Sequence, residues 1–94
     1  MKAHEGFKQA IIHLARLKGW GFIYHTWSSI HSPAGFPDLI MLKEGRMLVA
    51  ELKIGRDNLK PEQYFWLLEF TKVTDHVCVW WDNEQDWNQI IEVL

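Results

Sequence analysis

Asp38, Glu51 and Lys53 are the residues whose types and spacing could do chemistry. Two carboxylates brought face to face can hold a divalent cation, which lowers the pKa of a water and clamps phosphate oxygens. A fixed ammonium beside them adds positive charge where an anionic transition state develops. That combination suits phosphodiester hydrolysis, which needs an activated water and stabilisation of a crowded anion. A plainer reading is a structural Asp–Lys–Glu ion-pair network on a sheet edge.

Either reading depends on the chain bringing Asp38 opposite Glu51. Asp38–Lys43 and Met47–Ile54 are apolar, strand-like runs, and Glu44-Gly45 between them suits a two-residue turn in which Gly45 takes a positive φ. Lys43 then pairs with Arg46, and the register runs through Leu42–Met47, Met41–Leu48, Ile40–Val49 and Leu39–Ala50 to Asp38–Glu51. Residues directly opposite share a face, and Lys53, two positions after Glu51, points the same way. Like charges so placed repel and call for something positive between them. Lys53 is one such charge, and Mg²⁺, commonly held by one or two carboxylates plus waters and substrate phosphates, is another. A bulge or an odd-numbered loop would break this register.

The remaining elements are short and alternate in type. His4–Leu17 reads as an amphipathic helix with Phe7, Ala10, Ile11, Leu14 and Leu17 on its core face, ended by the glycines flanking Trp20. Phe22–Trp27 reads as a strand and Ser28–Phe36 as a loop. After the hairpin, residues 55–58 form a turn, and Pro61 opens a second helix reaching about Lys72. His76–Trp81 is an apolar strand, and Asp82-Asn83 can cap a last helix over Glu84–Leu94. The order predicts an α+β fold, an α/β sandwich with a mixed sheet flanked by helices. Asp38–Leu42, apolar on both faces, is expected at the centre of the sheet.

Ninety-four residues, 48% of them hydrophobic and including six Trp and five Phe, suffice for one domain spanning 1–94 with a real core. No apolar run reaches membrane-spanning length, and Met-Lys-Ala-His-Glu lacks the hydrophobic stretch of a signal peptide, so a cytoplasmic location without membrane partners is expected. Cys78 is alone and is expected as a buried strand cysteine. A net charge of −2 and a pI near 6.2 run against a nucleic-acid partner, although Lys53, Arg56 and Lys60 cluster after the acidic pair.

Three strings together carry a resemblance: Gly35-Phe36-Pro37-Asp38-Leu39-Ile40, Ala50-Glu51-Leu52-Lys53 and Leu59-Lys60-Pro61-Glu62-Gln63. They resemble the VRR-NUC family of the PD-(D/E)XK, or restriction-endonuclease-like, nucleases, particularly small stand-alone members known from bacteriophages. The likeness extends to Glu5, Gly19-Trp20 and the segment Val77–Trp80, and so to nearly the whole chain. It implies an αβββαβ core and a Mg²⁺-dependent DNA endonuclease, with Mn²⁺ as a substitute. Asp38, Glu51 and the main-chain carbonyl of Leu52 would bind metal, Lys53 would orient the attacking water, and Gln63 and Glu5 would complete the site. The family's small members resemble Holliday-junction resolvases, which implies branched or structured DNA as substrate, a homodimer, and, for a viral protein, the host cytoplasm. Lys60, Arg56 and His31 are the expected DNA contacts. The alternative is a non-catalytic DNA-binding or protein-interaction module on the same fold.

Several of these residues have plainer readings. Lys60 stands where the family often has a capping serine, which weakens the cap but adds a potential phosphate contact. Glu5 lies about 160° around the helix from Phe7, so it either reaches the site from the helix edge or is a solvated first-turn glutamate. Gln63 either joins the site or only caps its helix. His25 and His31 lack zinc-ligand spacing, and Ser28, Ser29 and Ser32 lack the Gly-x-Ser-x-Gly elbow. Trp20, Trp66 and Trp80 are expected in the core, with one of Trp80 and Trp81 partly exposed.

Overall fold

A computed structural model describes residues 2–26 and 32–94. The elements, in order, are α1 (Lys2–Leu17), β1 (Phe22–His25), β2 (Leu39–Lys43), β3 (Arg46–Lys53), α2 (Pro61–Phe70), β4 (His76–Trp81) and α3 (Glu84–Val93). The strands form one mixed sheet in the order β1-β2-β3-β4, with β1, β2 and β3 antiparallel and β4 parallel to β3. A parallel neighbour requires a crossover, and α2 provides it. The architecture is α+β.

The hairpin has the register its turn dictates, from Lys43↔Arg46 to Leu39↔Ala50. Glu44 at φ 50° and Gly45 at φ 81° are both left-handed, as a two-residue type I′ loop demands. Ladder pairing stops one residue short of Asp38. β3 is buried on both faces and β2 on one, its Leu42 being exposed on the other: Leu39, Met41, Leu48, Ala50 and Leu52 join Trp80 in a core closed by α1 and by Ile90 of α3. Alternation along β3 turns Val49, Glu51 and Lys53 to the opposite face. There α2 packs, with Leu67 buried and Phe36, from the loop before β2, edge-on to both Trp66 and Phe70.

Helix α1 is rotated from its expected setting. Its buried residues are Phe7, Lys8, Ile11, Ile12 and Ala15, while Ala10 is exposed and Leu17 is 72% exposed. The stripe at 4, 7, 8, 11, 12 and 15 faces the sheet, and Ile11, Ile12 and Ala15 are buried in its core. Lys8 is tolerated there because its ammonium reaches out to the Thr26 carbonyl (3.1 Å) and Glu5 (3.1 Å). The helix ends in a Schellman motif: Gly19 is left-handed at φ 96°, and the Trp20 N–H donates to the Ala15 carbonyl.

Other boundaries moved for local reasons. Strand β1 stops at His25, after which the Thr26 N–H and hydroxyl turn to the carbonyls of Asp38 and Pro37. Helix α2 ends at Phe70, short of Lys72, with the Thr71 hydroxyl donating to the Leu68 carbonyl. Asn83 caps α3 by accepting the Asp86 N–H at 2.7 Å. Trp20 and Trp80 are in the core, but Trp66 is only half-buried, its indole N–H bonded to the Ala34 carbonyl. Trp81 is also half-buried. Cys78 is half-buried rather than fully so, and burial still pushes its thiol up to about 11. No helix among the described residues is long and apolar enough to cross a membrane.

Candidate active site

The site forms where β2 begins, β3 ends and α2 starts. Asp38 is placed by a loop that the packing fixes tightly. Gly35, at φ 84°, lies so close to α2 that an added Cβ would sit 2.5 Å from the Glu62 carbonyl carbon and 2.7 Å from the Gln63 nitrogen. Phe36 anchors the loop against α2, and Pro37 is fully buried. Asp38 then turns back on the hairpin, and its Oδ2 accepts the Leu52 N–H at 2.8 Å. The carboxylate thus satisfies a backbone donor beyond the point where β2 stops pairing.

Glu51 and Lys53 are 3% and 5% exposed, which is unusual for charged side chains without strong pairing. Lys53 Nζ donates to Gln63 Oε1 at 2.7 Å and lies 3.6 Å from Glu51 Oε2. Gln63 Nε2 donates to the same Glu51 oxygen at 3.1 Å, while its Oε1 also accepts the Lys60 N–H at 2.9 Å. Lysine has no acceptor to complete a capping box, so Gln63 forms the only side-chain half of the cap. One amide therefore both caps α2 and bridges the charged pair, joining the two expectations for Gln63.

The second oxygen, Glu51 Oε1, is buried without a hydrogen-bond partner among the described residues. Burial, and then the neighbouring Asp38 carboxylate, push Glu51 up to about 8, against the opposing pull of Lys53. Ionised, neither carboxylate can donate to the other; protonated, Glu51 can donate to Asp38. Burial also pushes Asp38 upward, but hydrogen bonds from His4 and the Leu52 N–H outweigh it and leave its carboxyl below the usual range.

His4 comes from the buried face of α1. Its Nε2 lies 3.2 Å from the Leu52 carbonyl and 3.4 Å from Asp38 Oδ2. The bond to Asp38 raises the imidazole pKa, with burial opposing. Lys53 thus pairs with Glu51 and His4 with Asp38, and the two carboxylates link the pairs, since Asp38 raises Glu51.

No family model, curated protein or solved structure matches this chain. The site is therefore judged on its own donors. Among the described residues no group of three or more His, Cys, Asp and Glu side chains is arranged to hold a metal. Asp38, Glu51 and the Leu52 carbonyl nevertheless present hard oxygen donors of the kind Mg²⁺ and Mn²⁺ prefer. The orphaned buried Glu51 oxygen beside a second carboxylate is the observation that fits a cation, because a positive charge there would satisfy it and remove the repulsion.

Of the other candidates, Glu5 is not brought to the site. It is exposed, bonded to Gln9 at 2.8 Å and paired with Lys8, and these contacts hold its carboxyl below the usual range. It sits one position off the stripe that faces the sheet. Arg56 and Lys60 are exposed on the segment between β3 and α2. His31 lies outside the described residues, as do Trp27, Ser28 and Ser29. His25, at the end of β1, keeps a buried Nδ1 without a partner among the described residues. His4 was missed by the sequence reading, yet a signal existed: it falls three and four residues before Phe7 and Lys8, on the stripe that also carries Ile11 and Ala15.

Proposed function

We propose that this chain is a metal-dependent endodeoxyribonuclease of the restriction-endonuclease-like type, acting on branched or otherwise structured DNA as a homodimer. The observation that carries the reading is buried Glu51 beside half-buried Asp38, with one Glu51 oxygen left unpartnered among the described residues and a buried lysine fixed beside it. A site kept only for stability would gain by replacing such a pair with apolar side chains. Holding a second acid buried beside Asp38, where it is costly to ionise, makes sense where a divalent cation joins the two carboxylates.

The residues divide the work. Asp38, Glu51 and the Leu52 carbonyl would hold Mg²⁺ or Mn²⁺. A cation there supplies Lewis acidity, polarising a phosphate oxygen and lowering the pKa of a water. Gln63 holds Lys53 in one rotamer, so that the ammonium keeps N–H donors for a water or a phosphate oxygen. Glu51, pushed up to about 8 without a cation, would give up its proton when a cation binds, so its ionisation and the loading of the site go together. Exposed Arg56 and Lys60, next to the site in sequence, would contact the DNA backbone.

A competing reading, a protein-interaction module, draws on the net charge of −2 and on exposed Phe22, Tyr24, Leu42, Phe65 and Leu68. Incubation with a synthetic four-way junction, a matched duplex and supercoiled plasmid, each with Mg²⁺, Mn²⁺ or EDTA, separates the two. Paired, symmetric, cation-dependent junction cuts lost in Lys53→Ala are expected. Nicking without junction preference would keep the nuclease and remove the structural selectivity, and no cleavage by the folded protein would favour the interaction module.

A further inference from the structure

We propose that His4 selects the cation, adding an imidazole nitrogen to the oxygens of Asp38 and Leu52 and shifting the site from Mg²⁺ toward first-row transition cations. This rests on the metal site proposed above.

His4 Nε2 is within 3.4 Å of Asp38 Oδ2 and within 3.2 Å of the Leu52 carbonyl oxygen. These are two of the three donors assigned to the cation. A cation reaching both oxygens comes within reach of that nitrogen. The ring is a third exposed, and its contacts to the Leu52 carbonyl and to Asp38 direct its Nε2 toward these oxygens. In this structure both atoms beside Nε2 are acceptors, so the hydrogen lies on Nε2. When the lone pair of Nε2 is given to a cation, the neutral ring carries its hydrogen on Nδ1 instead. An all-oxygen set suits Mg²⁺, whereas an imidazole improves binding of Co²⁺ and Ni²⁺ far more than that of Mg²⁺. Glu5, the acid next in sequence, cannot provide an oxygen in its place because it faces Lys8 and Gln9.

The test is equilibrium binding of Co²⁺ and of Mg²⁺ to the full chain, by calorimetry and by the visible spectrum of Co²⁺, without DNA. Wild type, His4→Ala, His4→Gln and Asp38→Asn are compared after circular dichroism confirms folding. His4→Gln preserves a hydrogen bond to the Leu52 carbonyl while lacking the azole. We expect one site abolished by Asp38→Asn. Both His4 variants should lose at least the roughly 10- to 100-fold in Co²⁺ affinity that losing a ligand's outer-shell partner costs, change Mg²⁺ affinity by less than about threefold, and alter the Co²⁺ spectrum. Equal changes for both cations, no change, or tighter Co²⁺ binding in the His4 variants would overturn the assignment while leaving the metal site intact. Absence of any Asp38-dependent binding in wild type would instead remove the metal site itself, and this proposal with it.

Discussion

Gln63 Oε1 accepts from Lys53 Nζ at 2.7 Å and so ties the first turn of α2 to the last residue of β3. Because the same amide bonds Glu51 and the Lys60 N–H, the ammonium, the acid and the helix start are held as a unit. Gln63→Ala should therefore cost about 1–3 kcal/mol, the usual range for leaving a buried charged partner unsatisfied. Cleavage should fall while DNA binding persists. Thermal melts beside single-turnover assays measure both, and unchanged cleavage with lowered stability would restrict Gln63 to capping.

Lys53→Met retains the length of the side chain and removes its charge. Glu51 loses its nearest cation, so its pKa should rise further and the protonated form, already the major one at neutral pH, should persist to higher pH. The variant should fold, bind DNA and not cut it. Loss of folding in a chain whose Glu51 can simply stay neutral would mark Lys53 as structural.

Glu51→Gln should stabilise the metal-free protein above about pH 8, where wild type must carry the buried charge, by about 1–3 kcal/mol. The same change should abolish cation binding and cleavage. Chemical denaturation at pH 8.5 with and without Mg²⁺ reads this directly: the variant should be the more stable without the cation and should gain nothing from it.

Stability should peak in weakly acidic solution. Glu51 holds its proton more firmly folded than unfolded, so the folded state loses stability as pH rises from the ordinary glutamate range toward about 8. The raised His4 acts in the same direction, its contribution being fully present below its unfolded pKa and lost as pH rises through the folded one. Asp38, lowered, contributes above its unfolded pKa and loses that contribution as pH falls through the folded one. A melting temperature that rises steadily through neutrality would contradict this. With Mg²⁺ present the decline above neutrality should flatten, and cation binding near pH 7 should release about one proton, visible as a buffer-dependent heat.

Gly35→Ala tests how the loop places Asp38. A Cβ there meets the Glu62 backbone at 2.5 Å and must also adopt φ 84°, so a loss of about 1–3 kcal/mol or more is expected. Displacing α2 should also weaken the Gln63 bonds, so cleavage should fall more than stability alone explains. Full activity at a temperature where the variant is folded would show that Asp38 is placed independently of α2.

The hairpin was legible because one glycine and a strict two-residue spacing leave few alternatives, and its register placed Glu51 and Lys53 on one face. The setting of α1 was less legible. Phe7, Ala10, Ile11, Leu14 and Leu17 make an acceptable apolar stripe, and only the sheet decides that Ile12 and Ala15 pack instead. That rotation exchanges Glu5 for His4 at the site, and a charged Lys8 on the buried face hides the true stripe from a hydrophobicity pattern. Trp66 looked like a core residue by type, but α2 lies on the more open face of the sheet. The twofold role of Gln63 could not be read because it needs β3 and α2 side by side in space.

The bonds that Leu52 makes span very different lengths of chain: 14 residues to Asp38 and 48 to His4. A hairpin closes in about 1–10 μs, whereas longer-range contacts wait for more of the chain to be ordered. During refolding the two acids therefore meet inside the hairpin before the imidazole of α1 can dock. The nascent hairpin must bear their repulsion without that help, so Glu51→Gln should refold faster than wild type at neutral pH, as stopped-flow tryptophan fluorescence would register.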